Sequence, residues 1–171
     1  YGNVMGSRGS VIPRLMKEAV SGKLTLTDPY MTRFNITLED SVKMVLFALE
    51  NCIGSEIVVP KIPSYRLTDL AKAIGPSCQI QYLGVRPGEK IHEEMITSSD
   101  SYSTVDIGSY YVILPNYQNK IYNYYSKKFK AKKVKQNFSY NSQQNKEFLS
   151  VSDIRKLITN HVDHSFKPKN K

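Results

Sequence analysis

Three short stretches of this chain carry residues whose types and spacing could handle a phosphorylated ligand. The first is Asn3 followed by Ser7-Arg8-Gly9-Ser10. Glycine lets a backbone approach a ligand closely, and an asparagine at a strand end can donate to a phosphate or a hydroxyl. The N–H groups that open a helix, with a guanidinium beside them, suit a phosphate. The same residues would also make an ordinary strand–helix loop, and local chemistry leaves the two readings level. The second stretch is Met31-Thr32-Arg33-Phe34, where Arg33 is either a fork for an anion or a surface side chain laid along Phe34. The third is Arg86-Pro87-Gly88-Glu89-Lys90. Proline stiffens this loop and glycine turns it, so Arg86 and Glu89 can point the same way, one toward a phosphate and the other accepting from a diol. Standing alone, it reads more simply as a solvated turn. His161 and His164 sit at a helix end, but no further ligands are placed to complete a metal site, and the pair is read as coincidence.

These stretches need elements to hold them. An extended opening through Val4, a turn around Arg8 and an apolar helical pattern from Val11 follow the order strand, loop, helix. Val11, Leu15 and Ala19 predict a helix over 11–21, stopped by Gly22. Short strands are expected at 24–27 and 33–37, the first closed by Asp28-Pro29. Residues 37–40 resemble a capping box with Asp40 in place of Glu or Gln. Beyond them Val42, Val45, Leu46 and Leu49 mark one apolar face of a helix that ends near Glu50. A strand at 56–59 stops at Pro60, and a helix carried by Leu67, Leu70, Ala71 and Ile74 closes at Gly75-Pro76. Residues 79–83 alternate as a half-buried strand does, and 110–114 are strand-like. Residues 116–137, rich in Lys, Tyr and Asn without a clear period, are expected to be an irregular excursion. Ser150 and Asp153 cap a final helix through Val162, and 166–171 are expected to fray. Strands alternating with helices predict an α/β fold. Because no start methionine precedes Tyr1 and the sheet needs further strands, the chain reads as the C-terminal part of a larger α/β protein.

Composition narrows the classes. At 171 residues and 40% hydrophobic, without a long apolar run, the chain can bury a core and is not expected to span a membrane. Cys52 and Cys78 lack C-x-x-C spacing and read as buried free thiols, which suits a reducing cytoplasm. The formal charge of +9 raises the question of nucleic acid, but six lysines fall within residues 126–135 and no arginine interrupts them. Such a run is expected to be a solvated surface and not a nucleic-acid site. A basic module binding polyanions remains the rival from another class, and it would show steeply salt-dependent association.

Taken together and in order, Y-G-N-V-M-G-S-R-G-S-V-I-P, T-D-P-Y-M-T-R-F, V-V-P-K-I-P-S and R-P-G-E-K-I-H-E-E-M resemble the extended short-chain dehydrogenase/reductase family. More narrowly they are similar to its inverting UDP-N-acetylglucosamine 4,6-dehydratases, the late stretch F-S-Y-N-S-Q-Q-N-K-E-F-L included. The resemblance covers essentially the whole chain. It implies a Rossmann-type fold, with the end of the Rossmann sheet and a UDP-sugar-binding subdomain in residues 1–116. A basic excursion and C-terminal extension would fill 117–171. It also implies NADP as cofactor, a UDP-sugar as substrate, a homo-oligomer in the cytoplasm, and a place in pseudaminic acid biosynthesis and flagellin glycosylation. Asn3 would contact the UDP-sugar, with Val4 beside the cofactor. Arg8, Gly9, Ser10, Val11 and Ile12 would line the nucleotide, while Arg33, Arg86 and Glu89 would hold the diphosphate and the ribose or uracil end.

In the family reaction sugar C4 is oxidised, water is eliminated across C5–C6, and C6 is reduced with inversion at C5. The glycine-rich dinucleotide fingerprint and the Tyr-x-x-x-Lys pair of that chemistry are expected upstream of Tyr1. Tyr124 and Lys128 match the spacing but fall in the basic stretch and are set aside. The chain therefore reads as a substrate-binding half, inactive by itself. Two positions depart from the family pattern: Asn35 and Phe148 stand where tryptophan is common. A sister group of UDP-sugar dehydratases or epimerases serving capsule or O-glycan synthesis is the nearest alternative.

Overall fold

A computed structural model describes residues 2–115 and 119–170. In chain order the elements are β1 (Asn3–Val4), α1 (Val11–Ala19), β2 (Lys23–Leu26), β3 (Thr32–Ile36), α2 (Leu38–Asn51), β4 (Ile57–Pro60), β5 (Ser64–Arg66) and α3 (Leu67–Ile74). There follow β6 (Gln79–Tyr82), β7 (Glu94–Ile96), a 3₁₀ turn (Asp100–Ser103), β8 (Thr104–Asp106), β9 (Tyr110–Ile113), α4 (Asn119–Phe129), β10 (Lys132–Lys133), β11 (Tyr140–Asn141) and α5 (Val151–His161). They divide into two compact units. The boundary expected between residues 116 and 117 lies outside the described residues.

The first unit comprises Gly2–Leu38, Ile62–Glu93 and Ser142–Lys171. Here β1 runs parallel to β3, which pairs antiparallel with β5, while β2 and β6 form a separate parallel pair. Helices α1, α3 and α5 close the core: Leu15, Leu24, Leu26, Leu70 and Ile158 are fully buried. Each such leucine or isoleucine withdraws apolar surface worth about 1.5–3 kcal/mol from water. The helix from Val11 ends as its residues dictate. Gly22 takes φ +76°, and the N–H groups of Ser21 and Gly22 return to Glu18 O and Ala19 O at 3.0 Å each. At α5 the capping box forms: Ser150 Oγ accepts from Asp153 N at 3.2 Å, and Asp153 Oδ2 accepts from Ser150 N at 3.1 Å.

Residues 166–170 of the tail do not fray as expected; Lys171 lies outside the described residues. Phe166 packs on the core, and Lys169 N donates to Ile74 O at 2.8 Å. With Arg155, whose guanidinium reaches Ala73 O and Lys72 O at 3.0 and 3.2 Å, it satisfies carbonyls that end α3. An orphaned helix end thus supplies the reason for the tail's order.

The second unit comprises Glu39–Lys61 and Glu94–Asn141. Its antiparallel sheet has the order β10-β8-β9-β4, beside the small pair β11-β7. Val105, Val112, Ile121, Tyr125 and Ala131 form its core. The expected irregular excursion contains α4. Ile121 and Tyr125 are its buried positions, and Phe129 stacks on Tyr125 at 5.7 Å, so an i, i+4 aromatic stripe outweighs a composition poor in helix formers. The Tyr125 hydroxyl, buried beside Cys52 and Glu56, is pushed far above the usual phenol range, by desolvation first and these neighbours second. Cys52 and Cys78 are free and half-buried. Helix α2 buries Ser41, Met44 and Asn51, with Phe47 against Tyr110 at 4.7 Å. The apolar face predicted for it, Val42, Val45, Leu46 and Leu49, lies on the surface. Among the described residues no helix is long and apolar enough to cross a membrane.

Candidate functional site

A cavity of about 290 Å³ opens in the first unit where three of its loops meet. Its walls come from β1 and the turn after it, from the start of α1, from β3, and from the loop before β7. Of the residues singled out in the sequence, Asn3, Val4, Gly9, Ser10, Val11, Ile12, Arg33 and Glu89 line it. Arg8 and Arg86 are exposed and are not among the lining residues. The sequence reading did not single out Arg14, Thr27 or Tyr65, which also line it. A cavity in the second unit, near Tyr102, Leu114 and Tyr122, is about 40 Å³, room for little more than water.

The α1 end of the cavity is built to donate. Ser10 is the N-cap residue with extended backbone, yet its hydroxyl makes no capping bond, and Ser10 Oγ is buried without a hydrogen-bond partner. A buried hydroxyl left so costs about 1–3 kcal/mol. The first N–H groups of a helix have no partner within it. Here those belong to Val11 and Ile12, since Pro13 has none and Arg14 N already reaches Ser10 O at 3.4 Å. Gly9, at φ +78°, lets the chain enter the helix in a conformation that side chains resist. Nothing stands within 4 Å of the place where its Cβ would be, so the approach is open. Arg14 belongs to the wall: its guanidinium holds Thr25 Oγ1 and O at 3.3 and 3.2 Å and pairs with Glu18 at 3.5 Å.

Arg33 faces the cavity with most of its donors spent. Nη1 donates to Thr32 O and Ile91 O at 2.8 and 3.0 Å, and Nη2 to Met31 Sδ at 3.0 Å. Nε pairs with Glu93 at 3.7 Å. Of five N–H groups, three are hydrogen-bonded, the one on Nε faces Glu93 in the ion pair, and one on Nη2 is left over. Arg33, read from the sequence as either a fork or a surface side chain, is a staple with one tine free. Beside it Asn35, where the family pattern suggested tryptophan, is buried, lines the cavity, and donates its backbone N–H to Pro63 O at 2.9 Å.

The loop 86–89 is a tight turn, with Pro87 second, Gly88 third at φ +82°, and Glu89 N returning to Arg86 O at 3.0 Å. Glu89 is the residue this turn delivers to the cavity, where Oε1 accepts from Thr27 Oγ1 at 3.1 Å. Arg86 N lies 3.4 Å from Glu89 Oε2, so the arginine contributes backbone while its side chain stays in solvent.

Behind these walls runs a hydrogen-bonded layer with little local signature in the sequence. His92 Nδ1 and Thr32 Oγ1 are 2.8 Å apart, and Thr32 Oγ1 and Ser142 Oγ 2.7 Å. Partial burial, then the Arg33 charge, hold the His92 imidazole below its usual range, so it stays neutral near pH 7. Tyr65 is pushed well above the usual phenol range, by burial first and by the Glu93 carboxylate second, with Arg33 opposing. Its hydroxyl is therefore a proton-bearing wall, not a base. Tyr124 and Lys128 are one turn apart on α4 in the second unit, joined at 2.9 Å, and belong to no wall of this cavity. Among the described residues no group of three or more His, Cys, Asp or Glu side chains could hold a metal ion.

Residues 1–115 match the polysaccharide biosynthesis protein family. A UDP-N-acetylglucosamine 4,6-dehydratase (inverting) from Campylobacter jejuni (serotype O:23/36, strain 81-176) is 43% identical over 169 residues, covering 95% of this chain and 50% of that protein. A UDP-glucose 4-epimerase from Rickettsia canadensis is 45% identical over 118 residues, 66% of this chain and 35% of the relative. Among solved structures, Pen from Bacillus thuringiensis superposes with a TM-score of 0.79 at 32% identity, over 94% of this chain and 48% of that one. The α/β fold expected from the sequence is present, and it is that of part of a Rossmann-type extended short-chain dehydrogenase/reductase. The chain spans about half the length of the curated dehydratases it matches.

Proposed function

The chain belongs to the polysaccharide biosynthesis protein family, and on that premise we propose that it is the substrate-binding part of an inverting UDP-N-acetylglucosamine 4,6-dehydratase. The observation that carries this is the donor set at the start of α1. Ser10, whose hydroxyl is buried and unpartnered, lines one cavity with Val11 and Ile12, whose first-turn amides are unpaired, and with Arg33, which keeps a spare N–H. Neutral and cationic donors converging on one small volume suit a diphosphate, which has oxygens to spend and negative charge to neutralise. Glu89, already accepting from Thr27, keeps acceptor capacity for a diol such as the ribose.

In this reading Asn3 meets the sugar and Val4 gives an apolar wall at the cofactor edge, while Arg8 and Arg86 meet the ligand's charge from solvent. The division of labour runs near residue 116: residues 1–116 carry the UDP-sugar contacts, and 117–171 carry none of the named ones. A nicotinamide cofactor, NADP, would supply oxidising and reducing equivalents when bound. In this reading Val4 is the residue here that would touch it, and the remaining named residues would orient the sugar by gripping the nucleotide. Binding energy from the distant UDP then limits how the reacting ring can lie. The parent enzyme is proposed to work as a homo-oligomer in the cytoplasm, in nucleotide-sugar supply for pseudaminic acid and flagellin glycosylation.

Calorimetric titration of the full-length protein with UDP-N-acetylglucosamine tests the reading. Saturable binding is expected, with UDP competing and ADP failing to compete. Arg33→Ala is expected to weaken affinity at least tenfold, about 1.4 kcal/mol. Failure of the wild type to bind, or binding to any polyanion that vanishes between about 50 and 200 mM salt, would replace this reading with the basic-module one. Product analysis by NMR separates a 4-keto-6-deoxy sugar from the C4 epimer that an epimerase would release.

A further inference from the structure

A carboxylate that lies behind the cavity wall touches one polar lining residue from β1 and one from β3. Glu93 Oε1 accepts from Asn3 Nδ2 at 2.7 Å and lies 3.7 Å from Arg33 Nε, while Oε2 accepts from Phe34 N at 2.8 Å. Asn3 and Arg33 line the cavity; Glu93 is not among its lining residues. The backbone that carries the carboxylate is itself pinned. Glu93 N donates to Ser142 Oγ at 2.9 Å, Glu93 O accepts from Ser142 N at 2.7 Å, and Ser142 Oγ donates on to Thr32 O at 3.2 Å. Its charge is partly balanced by the half-buried Arg33.

This arrangement decides which atom each wall residue can offer. The amide nitrogen of Asn3 has two N–H groups. One goes to Glu93, and the other points to Phe34 O at 3.5 Å. What remains for a ligand is the carbonyl Oδ1, an acceptor, which can meet a hydroxyl but not a phosphate oxygen. Arg33, drawn at Nε to Glu93, at Nη1 to two carbonyls and at Nη2 to Met31 Sδ, keeps one N–H for an anion.

We infer that Glu93 is the positioning residue of this site, turning Asn3 to accept from a hydroxyl of the bound nucleotide sugar and fixing Arg33 to give one hydrogen bond to a phosphate. The inference rests on the nucleotide-sugar reading above and adds the polarity of the Asn3 contact to it. No part of Glu93 needs to touch the ligand.

Exchanging the acid and the amide between the two positions tests it. In Glu93→Gln one face of the new amide is a donor, and it meets either Asn3 Nδ2 or Phe34 N, both donors. UDP-N-acetylglucosamine affinity is expected to fall about ten- to a hundredfold, as for a lost hydrogen bond to a charged group. Asn3→Asp alone opposes two carboxylates and is expected to fall similarly. In the double variant, Asn3→Asp with Glu93→Gln, the amide now at position 93 can donate to the carboxylate now at position 3 and accept from Phe34 N. That carboxylate still offers an acceptor to the ligand. Affinity is expected back within about threefold of wild type, a strongly non-additive cycle.

The full-length protein is measured by calorimetry, with the thermal midpoint recorded for each variant. A double variant that recovers its midpoint but not its affinity would make Glu93 merely structural and overturn the inference. So would a Glu93→Gln protein that binds as wild type does. If Glu93→Gln fails to fold, Glu93→Asp carries the test: it keeps the charge but not the reach, and unchanged affinity overturns the inference equally. A wild type that binds no UDP-N-acetylglucosamine sinks the nucleotide-sugar reading first, and this inference with it.

Discussion

In α1 the apolar residues Ile12, Leu15 and Ala19 are at most 4% exposed, whereas in α2 Leu38, Val42, Val45, Leu46 and Leu49 are 45% to 76% exposed. Both sets repeat at helical spacing. The first meets β2 and α3 within its own unit and disappears from water. The second lies on the side of α2 away from its buried contacts, which are made by the narrower face of Ser41, Met44 and Asn51. Amphipathic periodicity therefore reports that a helix has an apolar side, and not that the chain in hand supplies the cover. Exposed stripes this long are uncommon on self-sufficient surfaces.

The contrast can be broken by substitution. Leu15→Ala, in a fully buried position, is expected to destabilise the first unit by about 2–5 kcal/mol in denaturant unfolding. A loss under about 1 kcal/mol would mean that α1 is no better covered than α2. Next in size is Ser150→Ala, which removes one arm of the α5 capping box and is expected to cost about 1 kcal/mol. Since α5 seats Ile154 and Ile158 in the same core as Leu15, the two losses should add if the sites are independent. The smallest effect is expected from Leu46→Lys with Leu49→Lys, under about 0.5 kcal/mol each by the same unfolding measurement. A loss several times larger would show that the α2 stripe is covered in solution, and would end the contrast.

Much of the scaffold was legible because its signals are local. Gly22 and Gly75 stop helices, Ser150 with Asp153 opens one, the turn at Asp28-Pro29 closes the strand from Leu24, and alternation around Ile80 marks another, all found within a residue or two of the expected bounds. Helix α4 was not legible because Asn, Tyr and Ser dilute its pattern; the readable trace was Ile121, Tyr125 and Phe129 at intervals of four. The tail after α5 was misread because its partner, Ile74 O, lies far back in the sequence. The same physics governed the site. Residues that touch the cavity through their own loops, such as Ser10 and Glu89, could be picked from motif chemistry. Glu93 could not, although it stands in the R-P-G-E-K-I-H-E-E-M stretch, because a carboxylate's partners ninety positions earlier leave no spacing rule behind. Arg33 shows the reverse failure: type and context left open a fork for an anion or a surface side chain, and only the folded chain reveals how many of its donors are already in use.

The interleaving of the two units bears on how such a chain is made. The first unit is assembled from three separated segments, and its core is closed by α5, which emerges from the ribosome after every residue of the second unit. During synthesis Leu15 and Leu70 must wait for Ile154 and Ile158, a delay that the long loop closures of a high-contact-order topology prolong. A pause or a premature stop before residue 150 would thus leave the first unit, though all of its cavity residues had been translated, without its lid of aliphatic side chains. Nascent chains of that length are where chaperone demand should be greatest.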